Sequence, residues 1–194
     1  YEGFMRRGVI QSGITRARVL ELVRKEVAIS RINISRVLSM DRSSMTHVIK
    51  DLINQELLIE QTDRIPGKSG RKPVFLSLNG NFGSVIGLVL QPGYYKFILM
   101  DLSGSVLYKG KKAFSSSDPQ RIVDHFLEEI DFSSYPPLLG ISLALPGIVD
   151  PYLGIFVKSL SLDIRNYSLT KSQKKSIPIL MDNDAKCFAR AILA

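Results

Sequence analysis

The sequence predicts a chain of two parts, α/β plus α in class: a winged helix-turn-helix over residues 1–80 and a mixed α/β lobe over residues 81–194. Three observations predict it. Met45, Val48, Ile49, Leu52 and Ile53 form an apolar stripe at helical spacing, preceded by two further helical segments. Two strand-like segments joined by a Gly/Pro/basic stretch follow that stripe. Beyond residue 80 the pattern changes to apolar runs of strand length with one amphipathic helix among them.

The first helix covers Arg16–Val27, with Leu20, Val23 and Val27 on one face. Ser30 supplies an N-cap for a short second helix whose inner side carries Ile34 and Val37. Ser39–Asp41 then separate the second helix from the third, the spacing of a helix-turn-helix, and Asp41 is the N-cap of the third. Burying the Met45–Ile53 stripe turns Arg42, Ser43, Ser44, Thr46, His47 and Lys50 outward. Those side chains hydrogen-bond phosphates and base edges. Leu57–Thr62 and Lys72–Leu78 are the strands of a hairpin whose turn, Arg64–Pro73, carries Lys68, Arg71 and Lys72. Such a wing lies along a phosphate backbone or reaches a minor groove.

Charge points the same way. Of 194 residues, 26 are Lys or Arg and 18 Asp or Glu, a net charge of +8. Residues 1–80 hold 14 of the basic and 8 of the acidic ones, so the excess concentrates where the helix-turn-helix lies. The expected partner is double-stranded DNA with an inverted-repeat operator, read by a homodimer with the third helix of each copy in the major groove. A plain helical docking module with a solvated basic surface is the alternative. An apolar content of 45% excludes wholesale disorder. No apolar run reaches the roughly 18 residues of a membrane span, and the first residues lack the core of a secretory signal. A single cysteine, Cys187, cannot form a disulfide within the chain and fits a reducing cytoplasm. No residues have metal-ligand spacing, and no cofactor or metal is expected.

In the second part, Ser84–Leu90, Tyr95–Asp101 and Val106–Phe114 make a three-strand meander with a Gln91–Gly93 turn. Pro119 opens a helix after Asp118, with Ile122, Val123, Phe126, Leu127 and Ile130 inside and His125 at the surface. Leu138–Leu145 is a buried strand that ends in Pro146–Gly147. Ile177–Met181 is another, ending in Asp182, Asn183 and Asp184. A carboxylate and an amide at a strand end suit paired hydroxyls. The same residues also suit a helix cap, from Asp182 or Asp184, before a helix starting near Ala185. Gly147 either lets a ligand approach the backbone or only makes the turn.

These residues resemble the first half of a ROK-family (repressor, open reading frame, kinase) transcriptional regulator, from about Thr15 onward. The resemblance rests on Leu-Ser-Met-Asp-Arg-Ser-Ser-Met-Thr-His-Val-Ile (38–49), Gly-Arg-Lys-Pro (70–73) and Ile-Gly (86–87). It continues through Met-Asp-Leu-Ser-Gly (100–104), Leu-Pro-Gly-Ile-Val-Asp (145–150) with Gly154, and Asn-Asp-Ala (183–185). It implies that the α/β lobe is actin-like and sugar-kinase-like (ribonuclease H-like). The lobe is then incomplete, because that fold closes a cleft with a second lobe. It further implies repression of carbohydrate-use genes, relieved by a sugar that Asn183 and Asp184 grip, with Gly147 near it. Ser161 stands where the family often has a sugar-contacting Asn. The family's kinases carry an Asp-X-Gly-Gly-Thr phosphate loop, and here the matching stretch is Val89-Leu90-Gln91-Pro92-Gly93. It lacks the carboxylate and one N–H, so no kinase activity is expected. The family's zinc cluster lies beyond the part that this sequence matches. At Ser39 the family turn usually has Gly. Two alternatives stay open: a sugar kinase with an added N-terminal domain, and a DNA-binding protein whose lobe dimerises without sensing.

Overall fold

The computed structural model describes residues 2–26, 29–62, 74–170 and 176–193. The chain divides into two compact units, Tyr1–Asn79 and Gly80–Ala194.

The first unit runs α1 (Glu2–Lys25), β1 (Ile29–Ser30), α2 (Arg31–Val37), α3 (Arg42–Asn54), β2 (Leu58–Thr62) and β3 (Val74–Leu78). Strand β3 lies between β1 and β2 and is antiparallel to both. The caps follow the sequence. Ser30 Oγ accepts from Asn33 N at 3.3 Å at the start of α2, and Asp41 Oδ1 accepts from Ser44 N at 2.8 Å at the start of α3. From α3, Met45, Ile49 and Leu52 are fully buried in one core with Val19, Val23, Ile34, Leu58 and Leu76. Each such side chain contributes about 1.5–3 kcal/mol by leaving water.

Three details of this unit differ from the sequence reading. α1 begins well before Arg16, and its core residues are Val19 and Val23, with Leu20 half-buried; Val27 lies outside the described residues. In α2 the inner face is Ile34 and Ser35, with Leu38 half-buried beyond the helix end, whereas Val37 is 59% exposed. A seven-residue helix has room for one narrow stripe, and Val37 falls a quarter-turn or more off it. The two-residue strand β1 is new, too short for any periodicity to signal.

The connection from α2 to α3 shows why its sequence is unusual. Ser39 N donates to Arg36 O and Met40 N to Ser35 O, the paired bonds of a Schellman cap, which sets Ser39 at φ +52°. α3 ends the same way, with Glu56 N to Ile53 O, Leu57 N to Leu52 O, and Glu56 at φ +59°. Glycine adopts that left-handed conformation freely, while serine and glutamate each hold it at a cost of about 1–2 kcal/mol. The absence of glycine at position 39 therefore strains the turn without changing its geometry.

The second unit runs β4 (Ser84–Gln91), β5 (Tyr94–Asp101), β6 (Val106–Ala113), α4 (Pro119–Glu129) and β7 (Leu138–Leu145). It continues through β8 (Ile148–Asp150), β9 (Ile155–Ser159), β10 (Ile164–Ser168), β11 (Ile179–Asn183) and α5 (Asp184–Leu193). A five-stranded sheet has the order β11-β7-β4-β5-β6, in which β11, β7 and β4 are mutually parallel and β4-β5-β6 is the antiparallel meander. Alternation sends Ile86, Leu88, Leu90, Tyr95, Phe97, Leu99, Ile141 and Leu143 to one face. There Ile122, Val123, Phe126 and Leu127 of α4 complete the core, with the Phe126 ring 5.0 Å from Phe97 and 6.2 Å from Tyr95. Asp118 caps α4 by accepting from Gln120 N at 3.0 Å, and Pro119 fills the first helical position. Burial pushes the Tyr95 phenol up to about 12.

The sheet's other face carries Val85, Gly87, Val89, Ile98 and Met100, with Gly140, Ser142 and Ala144 from β7. It forms a groove of about 760 Å³, bordered by Leu180, Cys187 and Ala191. His125, expected at the surface, is half-buried instead: its ring stacks on Phe114 at 4.7 Å, and Nε2 lies 3.7 Å from Glu129. The second sheet, β10-β9-β8, was not foreseen. Its strands have three to five residues, and β9 and β10 do not alternate apolar with polar positions, so no period-two signal marks them.

Among the described residues no helix is long and apolar enough to cross a membrane.

Candidate functional site

Two places collect the polar residues singled out in the sequence, one in each unit. In the first, the buried stripe of α3 fixes the orientation of everything opposite. Arg42, Ser43, Ser44, Thr46, His47 and Lys50 are all exposed on α3. They span its first nine positions, so they share the N-terminal two-thirds of the helix. Thr46 Oγ1 donates to Arg42 O at 2.7 Å and keeps its lone pairs available. The bond from Ser44 holds the Asp41 carboxyl below the usual carboxylate range, so the cap stays ionised as the helix dipole prefers. Lys68, Arg71 and Lys72 lie outside the described residues.

In the second unit the three parallel strands β4, β7 and β11 end on one edge of the sheet. Such an edge is where open α/β sheets gather their ligands. Gln91 ends β4, Pro146–Gly147 follow β7, and Asn183–Asp184 close β11 and open α5. Asn183 Nδ2 donates to Gly147 O at 2.8 Å and to Asp184 Oδ1 at 3.3 Å. Asn183 Oδ1 accepts from Lys186 N at 3.0 Å, which makes Asn183 the N-cap of α5. The cap was expected from Asp182 or Asp184; α5 starts at Asp184, one residue earlier than expected, and so the cap position falls on Asn183. Asp182 is buried and pairs with Arg190 at 2.7 Å while accepting from Asn183 N at 2.8 Å. Asp184 is half-buried: Oδ1 accepts from Ala185 N at 2.9 Å, and Oδ2 accepts from Gln91 Nε2 at 3.3 Å. Burial, with the nearby Asp182 carboxylate second, pushes the Cys187 thiol up, away from the reactive thiolate.

Gly147 is glycine for a reason in the fold. It sits at φ +152°, and a Cβ there would lie 2.3 Å from Lys158 O and 3.1 Å from Ser159 Cα. Its carbonyl holds Asn183, so the residue shapes the site through its backbone. Ser161 is exposed and reaches the same corner through Ser159: the two hydroxyls are 3.2 Å apart, and Ser159 Oγ donates to Pro146 O at 2.6 Å. Gly147, Asn183 and Asp184 thus form one hydrogen-bonded group, with Ser161 linked toward it through Ser159 and the Pro146 carbonyl. Sequence reasoning missed Gln91 and Ser159 as members. Gln91 bonds a residue 93 positions away, and the only local signal was a polar residue closing an apolar strand. Val89, on the same strand, lines a mostly apolar recess with Ala144, Ala185, Cys187 and Phe188, and Asp184 stands in its wall.

No protein-family model matches the chain. It is 26% identical over 186 residues to a putative xylose repressor of Caldicellulosiruptor sp. (strain Rt8B.4), covering 91% of this chain and 46% of that protein. It is 25% identical over 180 residues to the xylose repressor of Bacillus subtilis (strain 168), covering 88% and 46%. With the DNA-binding transcriptional repressor Mlc of Escherichia coli (strain K12) it shares 22% over 182 residues, covering 89% and 45%. Among solved structures it is similar to a ROK family transcriptional regulator, a homologue of the E. coli MLC protein. That match has a TM-score of 0.74 at 26% identity, over 93% of this chain and 48% of that one. The chain spans about half the length of the curated relatives it matches.

Proposed function

We infer that the chain is a regulator of the ROK family and that it acts as a carbohydrate-responsive, DNA-binding transcriptional repressor. Its likeness to xylose repressors and to a ROK regulator of known structure supports the family. Residues 1–80 are the winged helix-turn-helix, with α3 as recognition helix and β2–β3 as the wing. Residues 81–194 are one lobe of a sugar-kinase-like domain. The observation that carries the reading is the outward face of α3, where Arg42, Ser43, Ser44, Thr46, His47 and Lys50 are exposed together opposite the buried Met45, Ile49 and Leu52. In a major groove the Arg42 fork suits a guanine edge, and the hydroxyls and Lys50 suit bases and phosphates. Lys68, Arg71 and Lys72 of the wing add phosphate contacts. The protein works in the cytoplasm as a homodimer on an inverted repeat.

The lobe binds the effector rather than transferring phosphate to it. Gly147, Ser161, Asn183 and Asp184 form the sugar site, at a corner where carboxylate, amide and hydroxyl groups meet paired hydroxyls. Val89 stands where a kinase of the family has a carboxylate, and Pro92 has no N–H to offer a phosphate. The relatives' xylose makes a pentose the first sugar to try.

The reading is tested by footprinting the chain on DNA from upstream of its own gene. Two protected half-sites centred about one helical turn, or a small multiple of it, apart are expected. Uniform protection without half-sites, or none, contradicts it.

A further inference from the structure

The proposed sugar site of Gly147, Ser161, Asn183 and Asp184 also touches Gln91, a side chain from β4 that has been given no role in it. Asp184 has its two oxygens held differently. Oδ1 accepts from Ala185 N at 2.9 Å and from Asn183 Nδ2 at 3.3 Å, both within its own strand–helix junction. Oδ2 has one described partner, Gln91 Nε2 at 3.3 Å, from the end of a strand two places away in the sheet. A carboxylate oxygen accepts at least two hydrogen bonds, so Oδ2 keeps capacity for a ligand. Gln91 Oε1 accepts from no described residue, and an amide that donates through its nitrogen presents that oxygen alongside. Gln91 is half-buried at the end of β4, where the sheet and the Pro92–Gly93 turn restrict its swing. Two acceptors are therefore fixed side by side at the carboxyl edge of the parallel strands.

We propose that Gln91 is the positioning residue of the sugar site: its amide fixes Asp184 Oδ2, and its own Oε1 is the neighbouring acceptor, so that the pair selects a neutral sugar with two adjacent hydroxyls. One hydroxyl donates to Asp184 Oδ2 and the next to Gln91 Oε1. A sugar carrying a phosphate or carboxylate at that end meets the Asp184 charge and is rejected. The same bond explains why glutamine, bulky and apolar only in its stem, closes the strand at a place where a phosphate cradle needs a bare backbone. The proposal rests on the sugar-binding reading of Gly147, Ser161, Asn183 and Asp184.

The test is a double-mutant cycle read by isothermal titration of D-xylose, D-glucose and D-mannose into the 194-residue chain. Gln91→Met keeps the volume and removes the hydrogen bond; Asp184→Asn removes the charge. For the sugar that binds, Gln91→Met lowers affinity about tenfold, the scale of one charge-assisted bond. Asp184→Asn costs more, and the double variant loses clearly less than the sum of the two, because the Gln91 amide acts through Asp184 while its Oε1 meets the sugar directly. The urea midpoint of Gln91→Met stays at the parent value, which a merely structural role would shift. If the parent chain binds a sugar and Gln91→Met binds it equally well, or the two losses simply add, the role of Gln91 is wrong while the sugar site stands. If the parent chain binds none of the three sugars, the sugar-site reading fails and takes this proposal with it.

Discussion

Alanine at Gly147 destabilises the second unit by about 2–4 kcal/mol, the cost of overpacking against a rigid neighbour together with a disfavoured backbone conformation. The added Cβ would sit 2.3 Å from the Lys158 carbonyl oxygen, which is backbone of β9 and cannot rotate away. Relief requires β8 and β9 to separate, yet these pair through Ile148–Lys158, Val149–Phe156 and Asp150–Ile155, and Phe156 and Val149 belong to the core. A φ of +152° adds strain for any L side chain. The Gly147 carbonyl also orients Asn183, so on the proposed sugar-site reading the variant loses sugar binding along with stability. Urea unfolding checks this: the midpoint falls with little change in slope. A parent-like midpoint would mean that the β7–β8 corner is looser than its geometry.

Removing the two long cations of α3 separates recognition from folding. The double variant Arg42→Ala, Lys50→Ala weakens specific DNA binding by about 2–4 kcal/mol, roughly 30- to 1,000-fold, from one base-edge fork and one phosphate contact. Both side chains are exposed, and neither has an ion-pair partner among the described residues. Alanine is at least as good a helix former as either, so the melting temperature stays the same or rises. The slope of log affinity against log salt becomes shallower by about one to two contacts. Unchanged affinity at both low and moderate salt would remove α3 from the interface, leaving the first unit as a docking module.

What the sequence could show depended on how far a residue's partners lie along the chain. The α3 stripe and both N-caps are legible because the burying face and capping bonds arise within four residues of each other, and Ser30 and Asp41 cap the helices that they were expected to cap. Strand β7 matches its predicted bounds, being an apolar run with Pro146–Gly147 after it. By contrast, Val37 looked apolar enough for the core, but a helix of seven residues gave that place to Ser35. The β8–β10 sheet was hidden although its strands pair with their immediate neighbours, because they lack apolar alternation: exposed Val157 and Lys158 stand side by side in β9, and β10 buries only Ile164. With it went the reason for Gly147, since the clashing carbonyl sits in β9. The site was half legible: Asn183 and Asp184 announced themselves at a strand end, whereas Gln91 joins them only through a contact across the sheet.

The most direct measurement is fluorescence anisotropy of the chain with labelled DNA from upstream of its own gene. It is run at about 50 and about 200 mM salt, the range over which phosphate contacts separate, with and without D-xylose, D-glucose and D-mannose. The account predicts tight binding at low salt, affinity that drops steeply at the higher salt, and release by one of the sugars at a concentration that leaves a scrambled DNA unaffected. No binding even at the lower salt would contradict it.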